Sequence, residues 1–312
     1  LIATRLLPEG LTEIKKHFEL IMPEKDLFSR EEIKQLLPHC EALLPTFSIK
    51  VDKEIIDAGT NLKIIANYGV GYNNIDIDYA RSKGIAVTNT PYPVTEPTAE
   101  MAFALLLAVA RRISECDRKL RIPNELEWGL LKNLGVAVYG KKIGIVGLGR
   151  IGKAIARRAI ASGMEVVYFN RNRICPEEEI ELQVQYRPFD ELLKTSDFIS
   201  ISTPLTDETN HLIDSPQFDL MKQHAVLINT ARGAIINEKA LVKALRSGKL
   251  WGAGLDVYEF EPKITEELLL MDNVVLAPHN GTATIEARNA ITEYACHCII
   301  EFFKGNSISV VN

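Results

Sequence analysis

Three glycines carry the first chemistry that can be read from the chain. Gly147, Gly149 and Gly152 stand in the spacing Gly-x-Gly-x-x-Gly, directly after the apolar run Ile143–Val146. The first glycine permits a tight turn, the second lets backbone approach a pyrophosphate, and the third lets a helix pack on the preceding strand. The helix that opens there, and closes near Gly163, offers unpaired N–H groups and partial positive charge to phosphate oxygens. Arg150 and Ile151, between the second and third glycines, join them as candidate cofactor contacts. A further strand follows, so the stretch has the size of a βαβ unit. The competing reading is three glycines that serve only a tight turn.

That further strand ends in "VVYFNRNR" (166–173). An acidic residue about 20 positions after the glycines would hydrogen-bond the ribose 2′-hydroxyl of NAD. Asn170 stands there instead, followed by Arg171 and Arg173. A 2′-phosphate is the natural partner of such arginines, and a charge-assisted hydrogen bond contributes about 1.5–3 kcal/mol. One good contact would favour NADP(H) by roughly tenfold to a hundredfold. NADP(H) is therefore the preferred cofactor, with Arg171 the first candidate, Arg173 the second, and NAD(H) the alternative. Solvated surface arginines are the competing reading.

These residues need elements to position them. A chain of 312 residues with 46% apolar residues fits two globular domains. Strand-like and helix-like segments alternate in two series, one ending near "IAVTNT" (85–90) and a longer one from 141 to His279. Such alternation implies α/β architecture with parallel sheets. In the first series "LIATRLL", "EALLPT", "LKIIANYG" and "IAVTNT" read as strands, and "EGLTEIKKHFEL" has helical spacing. "PYPVTEPT" (91–98) reads as a hinge leading into a buried helix near 98–113. The run "MAFALLLAVA" (101–110) is too short for a membrane span, which needs about 20 residues. Apolar on all sides, it must be buried, and a subunit interface is a candidate place.

A net charge of −5, from 36 basic and 41 acidic residues, argues against nucleic acid as a partner. Five scattered cysteines suggest reduced thiols in a cytoplasmic protein rather than a disulfide framework. Cys296 and Cys298 lack a second pair that would complete a zinc site. No signal peptide is visible, and no membrane association is expected.

Three more segments carry a resemblance: "NYGVGYNNID" (67–76), "LINTARGAIINEKALVKALRSGKLWGAGLDVYEFEP" (227–262) and "VVLAPHNGTAT" (274–284). With the glycine turn they closely resemble the D-isomer-specific 2-hydroxyacid dehydrogenase family over essentially the whole chain, most of all its glyoxylate/hydroxypyruvate and 2-ketogluconate reductases. The resemblance implies two doubly wound parallel-sheet domains with a cleft between them: a flavodoxin-like substrate domain (1–93 plus 283–312) and a Rossmann dinucleotide-binding domain (94–282). It also implies a homodimer and a small 2-oxo acid as substrate.

By the same resemblance Arg232, Glu261 and His279 take the catalytic positions. His279 would be the general acid in reducing a 2-oxo acid and the base in reverse, since imidazole is the side chain suited to proton transfer near neutral pH. Glu261 would hold the other ring nitrogen, and a carboxylate there favours imidazolium. Arg232 would bind the substrate carboxylate and polarise the carbonyl. Read singly, each has a bland alternative: a structural histidine, a surface arginine, a helix-capping glutamate. Val70 and Gly71 would present backbone N–H groups to the substrate carboxylate. Further cofactor contacts are implied at Thr98, Thr203, Pro204, Leu205, Thr209, Thr230, Ala231, Asp256 and Gly281, with Asp256 placed for the nicotinamide amide. Asn280 departs from the apolar residue expected after the histidine. Tyr72 would face the substrate or merely cover the sheet. The near alternatives are a 3-phosphoglycerate dehydrogenase-type enzyme and a dinucleotide-sensing corepressor-like binding protein.

Overall fold

The apolar runs form two parallel sheets in a computed structural model that describes residues 1–312. Two compact units result, one of residues 1–97 and 282–312 and one of residues 98–281.

In the first unit three short parallel strands pair in the order β1 (Ala42–Leu43), β2 (Ile64–Ala66), β3 (Ala86–Thr88). The helices α1 (Arg30–Leu36), α2 (Lys53–Ala58) and α3 (Ile77–Ser82) intervene. Each starts at a side chain that accepts a backbone N–H: Ser29, Asp52 and Asp76. Two expectations fail here. "LIATRLL" makes only isolated bridges, Ile2 with Leu44 and Thr4 with Leu27, and "EGLTEIKKHFEL" forms two single 3₁₀ turns at Glu9–Leu11 and Ile14–Lys16. The physical reason is a short edge: Ile2, Leu11 and Ile14 are buried against the closing helix without needing regular elements beneath them.

The chain enters the second unit through α4 (Thr95–Ala110). The hinge expected at "PYPVTEPT" is thus partly helix. Pro97 falls in the first turn, where its missing N–H removes no helical bond. The helix does not run on to 113. Arg112 takes a left-handed conformation (φ 54°), and α5 (Ile113–Leu120) begins after it. α4 buries Ala99, Ala102, Leu105, Leu106, Val109 and Ala110 on the sheet of this unit, and each such leucine contributes roughly 1.5–3 kcal/mol. Glycines make that approach possible: a Cβ on Gly254 would lie 2.9 Å from the Leu105 side chain, and one on Gly252 2.8 Å from Val109.

That sheet has seven parallel strands: β4 (Lys142–Val146), β5 (Glu165–Phe169), β6 (Val184–Tyr186), β7 (Phe198–Ile201), β8 (Ala225–Asn229), β9 (Leu250–Leu255) and β10 (Val274–Leu276). Their order is β10-β9-β8-β7-β4-β5-β6. The helices between them are α6 (Arg150–Ala161), α7 (Pro176–Leu182), α8 (Phe189–Thr195), α9 (Ser215–Leu220), α10 (Glu238–Arg246) and α11 (Glu266–Leu269). The order reverses between β4 and β7, which is where such sheets bind ligands, at the carboxyl ends of the strands. α12 (Ile285–Phe303) returns to the first unit and packs there through Ile291, Ala295 and Ile299. No helix is long and apolar enough to cross a membrane.

Candidate active site

At the carboxyl end of β4 the glycine turn takes the form its spacing predicts. Gly147 has φ 99°, and a Cβ there would meet the Ser202–Thr203 backbone at 2.7 Å. A Cβ on Gly152 would lie 2.2 Å from the Gly147 carbonyl oxygen. A Cβ on Gly149 would meet nothing within 4 Å, and Gly149 begins α6 without any side-chain cap. Open space before an uncapped helix N-terminus suits a pyrophosphate. Arg150, Ile151 and Gly152 form the first turn of that helix. Buried side-chain oxygens of Thr230 and Asn280, without partners in the chain, add polar capacity at other strand ends of the same sheet. The unit therefore fits a dinucleotide.

The basic strand end divides into three parts. The Asn170 side chain accepts the Leu148 N–H at 2.6 Å, tying β5 to the glycine turn. Arg173 is committed elsewhere: its guanidinium holds both oxygens of Glu179 at 2.7 Å and lies 5.4 Å from the Tyr186 ring centre. Glu179 also accepts the Tyr168 hydroxyl at 2.6 Å. Arg173 is therefore a structural partner in this network, with its side chain still 55% exposed. Arg171 is exposed and makes no ion pair, its charge acting only at longer range on Glu208. Thr209, expected at the cofactor, spends its hydroxyl on its own loop, donating to the Pro204 carbonyl and accepting the Thr206 N–H, each at 2.7 Å. Thr203, Pro204 and Leu205 lie on that loop after β7, and Thr98 is buried early in α4.

Arg232, Glu261 and His279 come from three strand ends of the one sheet. Beyond β8, Asn229 accepts the Ala231 N–H at 3.0 Å and donates to the Arg232 carbonyl at 2.9 Å, which sets the turn carrying Arg232. Arg232 donates to the Ala231 carbonyl at 2.6 Å. Its burial draws its pKa down, while the charge of Glu261 opposes that. Beyond β9, Glu261 accepts the Tyr258 N–H at 3.0 Å with one oxygen and faces His279 Nδ1 at 2.8 Å with the other. Burial pushes the Glu261 carboxyl up, but the His279 hydrogen bond and charge, the Tyr258 N–H and the Arg232 charge outweigh it and hold the group below its ordinary range. Side chains of His279 and Glu261 keep 23% and 30% of their exposure, so a small molecule can reach them.

Asp256 shapes the histidine turn. It is 1% exposed and accepts the Asn280 and Gly281 N–H groups, each at 2.8 Å. Burial is the main cause that raises its pKa, against those two N–H groups. Gly281 fits because a Cβ there would lie 2.9 Å from the Asp256 carboxylate. His279 itself is left-handed (φ 51°).

In the first unit, Val70 and Gly71 lie on a loop built by asparagines that the sequence did not single out. Asn89 donates to the Val70 carbonyl at 2.7 Å, and Asn67 donates to those of Gly71 at 2.9 Å and Gly69 at 3.2 Å. The N–H groups of Val70 and Gly71 make no hydrogen bond within the chain. Tyr72 is partly buried against the core of this unit. The signal for the asparagines was present: Asn at a strand end commonly bonds nearby backbone.

A doubly wound sheet with a dinucleotide turn at its switch point and a His–Glu pair at neighbouring strand ends belongs to the α/β nucleotide-dependent oxidoreductases. Comparison with known proteins narrows this. Residues 103–281 match the model of the D-isomer specific 2-hydroxyacid dehydrogenase, NAD binding domain. The chain is 47% identical over 310 residues to a glyoxylate reductase of Thermococcus onnurineus, covering 97% of this chain and 92% of that protein. Among solved structures, a glyoxylate reductase from Paecilomyes thermophila superposes with a TM-score of 0.89 at 34% identity, over 99% of this chain and 97% of the other. A D-lactate dehydrogenase from Aquifex aeolicus, complexed with NAD and lactic acid, gives 0.84 at 31% identity, over 95% and 92%. The chain belongs to the D-isomer-specific 2-hydroxyacid dehydrogenase family, and it is an oxidoreductase.

Proposed function

We propose that the protein reduces a small 2-oxo acid, of the glyoxylate, hydroxypyruvate or 2-ketogluconate type, to the D-2-hydroxy acid. The observation that carries this reading is the 2.8 Å pairing of His279 Nδ1 with Glu261. It orients the ring, and we read Nε2 as the atom that delivers the proton to the carbonyl oxygen. A bound nicotinamide dinucleotide supplies the hydride. Arg232, always charged and forked, binds the substrate carboxylate and draws negative charge onto the carbonyl oxygen. In the first unit, the N–H groups of Val70 and Gly71 are the candidate contacts for a substrate carboxylate. In the reverse direction neutral His279 takes the hydroxyl proton.

For the cofactor, the residues that would hold the pyrophosphate are Gly147, Gly149, Arg150, Ile151 and Gly152. Thr203, Pro204, Thr230, Ala231 and Asp256 would line the path from adenosine to nicotinamide. NADP(H) preference rests first on Arg171 and second on Arg173, with no carboxylate at Asn170 to repel a 2′-phosphate. We also read the protein as a cytoplasmic homodimer. Its free cysteines fit a reducing compartment. The stretch after α5 leaves Trp128, Leu130 and Leu131 80–93% exposed, the kind of apolar patch that marks an interface.

Initial rates for glyoxylate, hydroxypyruvate, pyruvate and 2-ketogluconate, each with NADPH and NADH, test the reading. Turnover of at least one acid is expected, faster at limiting NADPH than at limiting NADH. Tight nucleotide binding without turnover of any 2-oxo acid would overturn it. Arg171→Ala is expected to raise KM for NADPH at least about tenfold more than KM for NADH, the worth of one charge-assisted contact. An equal effect on both removes the cofactor preference.

A further inference from the structure

One residue of "DVYEFEP" has no part in the chemistry above, yet its carboxylate is fully engaged. Glu259, its side chain 14% exposed, faces His211 Nε2 at 2.7 Å with one oxygen and accepts the Glu238 N–H at 3.1 Å with the other. The exchange is reciprocal: the Glu259 N–H donates to the Glu238 carboxylate at 2.7 Å. Glu238 is 2% exposed, and its second oxygen accepts the Thr265 hydroxyl. Two carboxylates lie side by side here, and every oxygen has a donor, as buried polar groups require.

Glu238 is the first residue of α10, so Glu259 satisfies a helix N–H that has no partner within the helix and places its charge at the favourable end of the helix dipole. His211 reaches Glu259 from the loop after β7, where its own N–H donates to the Ala234 carbonyl. The turn 258–261 is thereby fastened to two other parts of the unit.

All three candidate catalytic residues lean on this turn. Gly233, next to Arg232, presses so closely on it that a Cβ would lie 1.8 Å from the Tyr258 carbonyl carbon and 2.3 Å from the Glu259 nitrogen. Glu261 closes the turn by accepting the Tyr258 N–H. The Tyr258 hydroxyl donates to the Ala277 carbonyl at 2.7 Å, two residues before His279. A shift of the turn would therefore move Arg232, Glu261 and the approach to His279 together.

We propose that Glu259, held by His211 and Glu238, is a positioning residue that sets the placement of Glu261, and through it His279, for proton transfer. The inference rests on the reading of Arg232, Glu261 and His279 given above. Glu259 touches no reacting atom. It acts by fixing the backbone from which Glu261 reaches the imidazole, and small misplacements of a catalytic group are costly.

A double-mutant cycle on 2-oxo acid reduction tests this, with glyoxylate and hydroxypyruvate as substrates. Glu259→Ala is expected to lower kcat about 100-fold, the scale of a misplacement near 1 Å, with KM for the nucleotide within about twofold of wild type. In a Glu261→Ala background the same change should cost less than about threefold, because the group it positions is gone. Glu259→Gln, which keeps an acceptor for Glu238 and a polar partner for His211, should recover most of the lost kcat. Losses that multiply independently in the two backgrounds, or Glu259→Ala within about twofold of wild type, would overturn the proposal. If Glu259→Ala does not fold, His211→Ala, on a half-exposed loop, takes its place in the cycle with the same criterion. His279→Ala run alongside separates the two readings: turnover undiminished there sinks the active-site assignment itself. Loss there with no coupling at Glu259 sinks only the positioning role.

Discussion

Glu261 ties the proposed proton transfer to stability. Its carboxyl lies below its ordinary value of 4.5 in the folded protein, because the His279 and Arg232 charges and the Tyr258 N–H outweigh the opposing effect of burial. A depressed carboxyl contributes stability that is fully present above the unfolded pKa and is lost as pH falls through the folded one. Thermal unfolding of wild type and Glu261→Gln, compared from pH 7 down to pH 3, should show the wild-type advantage constant above about pH 5 and shrinking below 4.5. A difference independent of pH would contradict the pairing. At this scale the sequence was legible where a residue's partner is named by a motif, as with His279 and Glu261. It was incomplete at Arg173, whose partner Glu179 is brought round by α7, and at Asn170, whose acceptor role depends on how closely β5 lies beside the glycine turn. Neither arrangement leaves a trace in residue spacing.

The elements divide in the same way. The long alternation from 141 onward was readable because central parallel strands are buried on both faces, which makes their apolar runs nearly continuous. Strands at the edge of the first unit were overread, since "LIATRLL" has the apolar content of a strand but pairs only at isolated bridges. Among the elements, β4 and α6 carry the sharpest steric demand. Gly152→Ala would force a Cβ to 2.2 Å from the Gly147 carbonyl, so the helix must move off the strand. Weaker nucleotide binding by at least about tenfold is expected, with stability lowered by about 1–3 kcal/mol as for other overpacked sites. Isothermal titration and thermal unfolding check both, and unchanged affinity would show that the third glycine does not govern the turn.

At the scale of the whole molecule, the apolar helix at 101–110 pointed to an interface, but much of its apolar surface is spent within its own unit, against Gly252 and Gly254 of β9. Met101, Phe103 and Leu107 stay only partly buried, and more apolar surface is uncovered further along, at Trp128, Leu130 and Leu131. Sequence reading passed over that stretch because it has no regular periodicity to mark it. Charged substitutions there, Leu130→Glu with Leu131→Glu, are expected to shift sedimentation from dimer to monomer while the circular dichroism spectrum is retained. A protein that sediments identically before and after the change would place the interface elsewhere.

His279 has one further consequence, through the sign of its φ of 51°. Histidine tolerates that conformation better than most side chains, but only glycine adopts it without penalty. The proposed proton carrier thus sits on a backbone whose handedness its own Cβ opposes. Two inactive proteins should therefore differ in durability: His279→Gly should outlast His279→Ala in denaturant by about 1 kcal/mol, despite the flexibility glycine adds to the unfolded chain. The position proposed for proton transfer is also one where the protein could be made hardier.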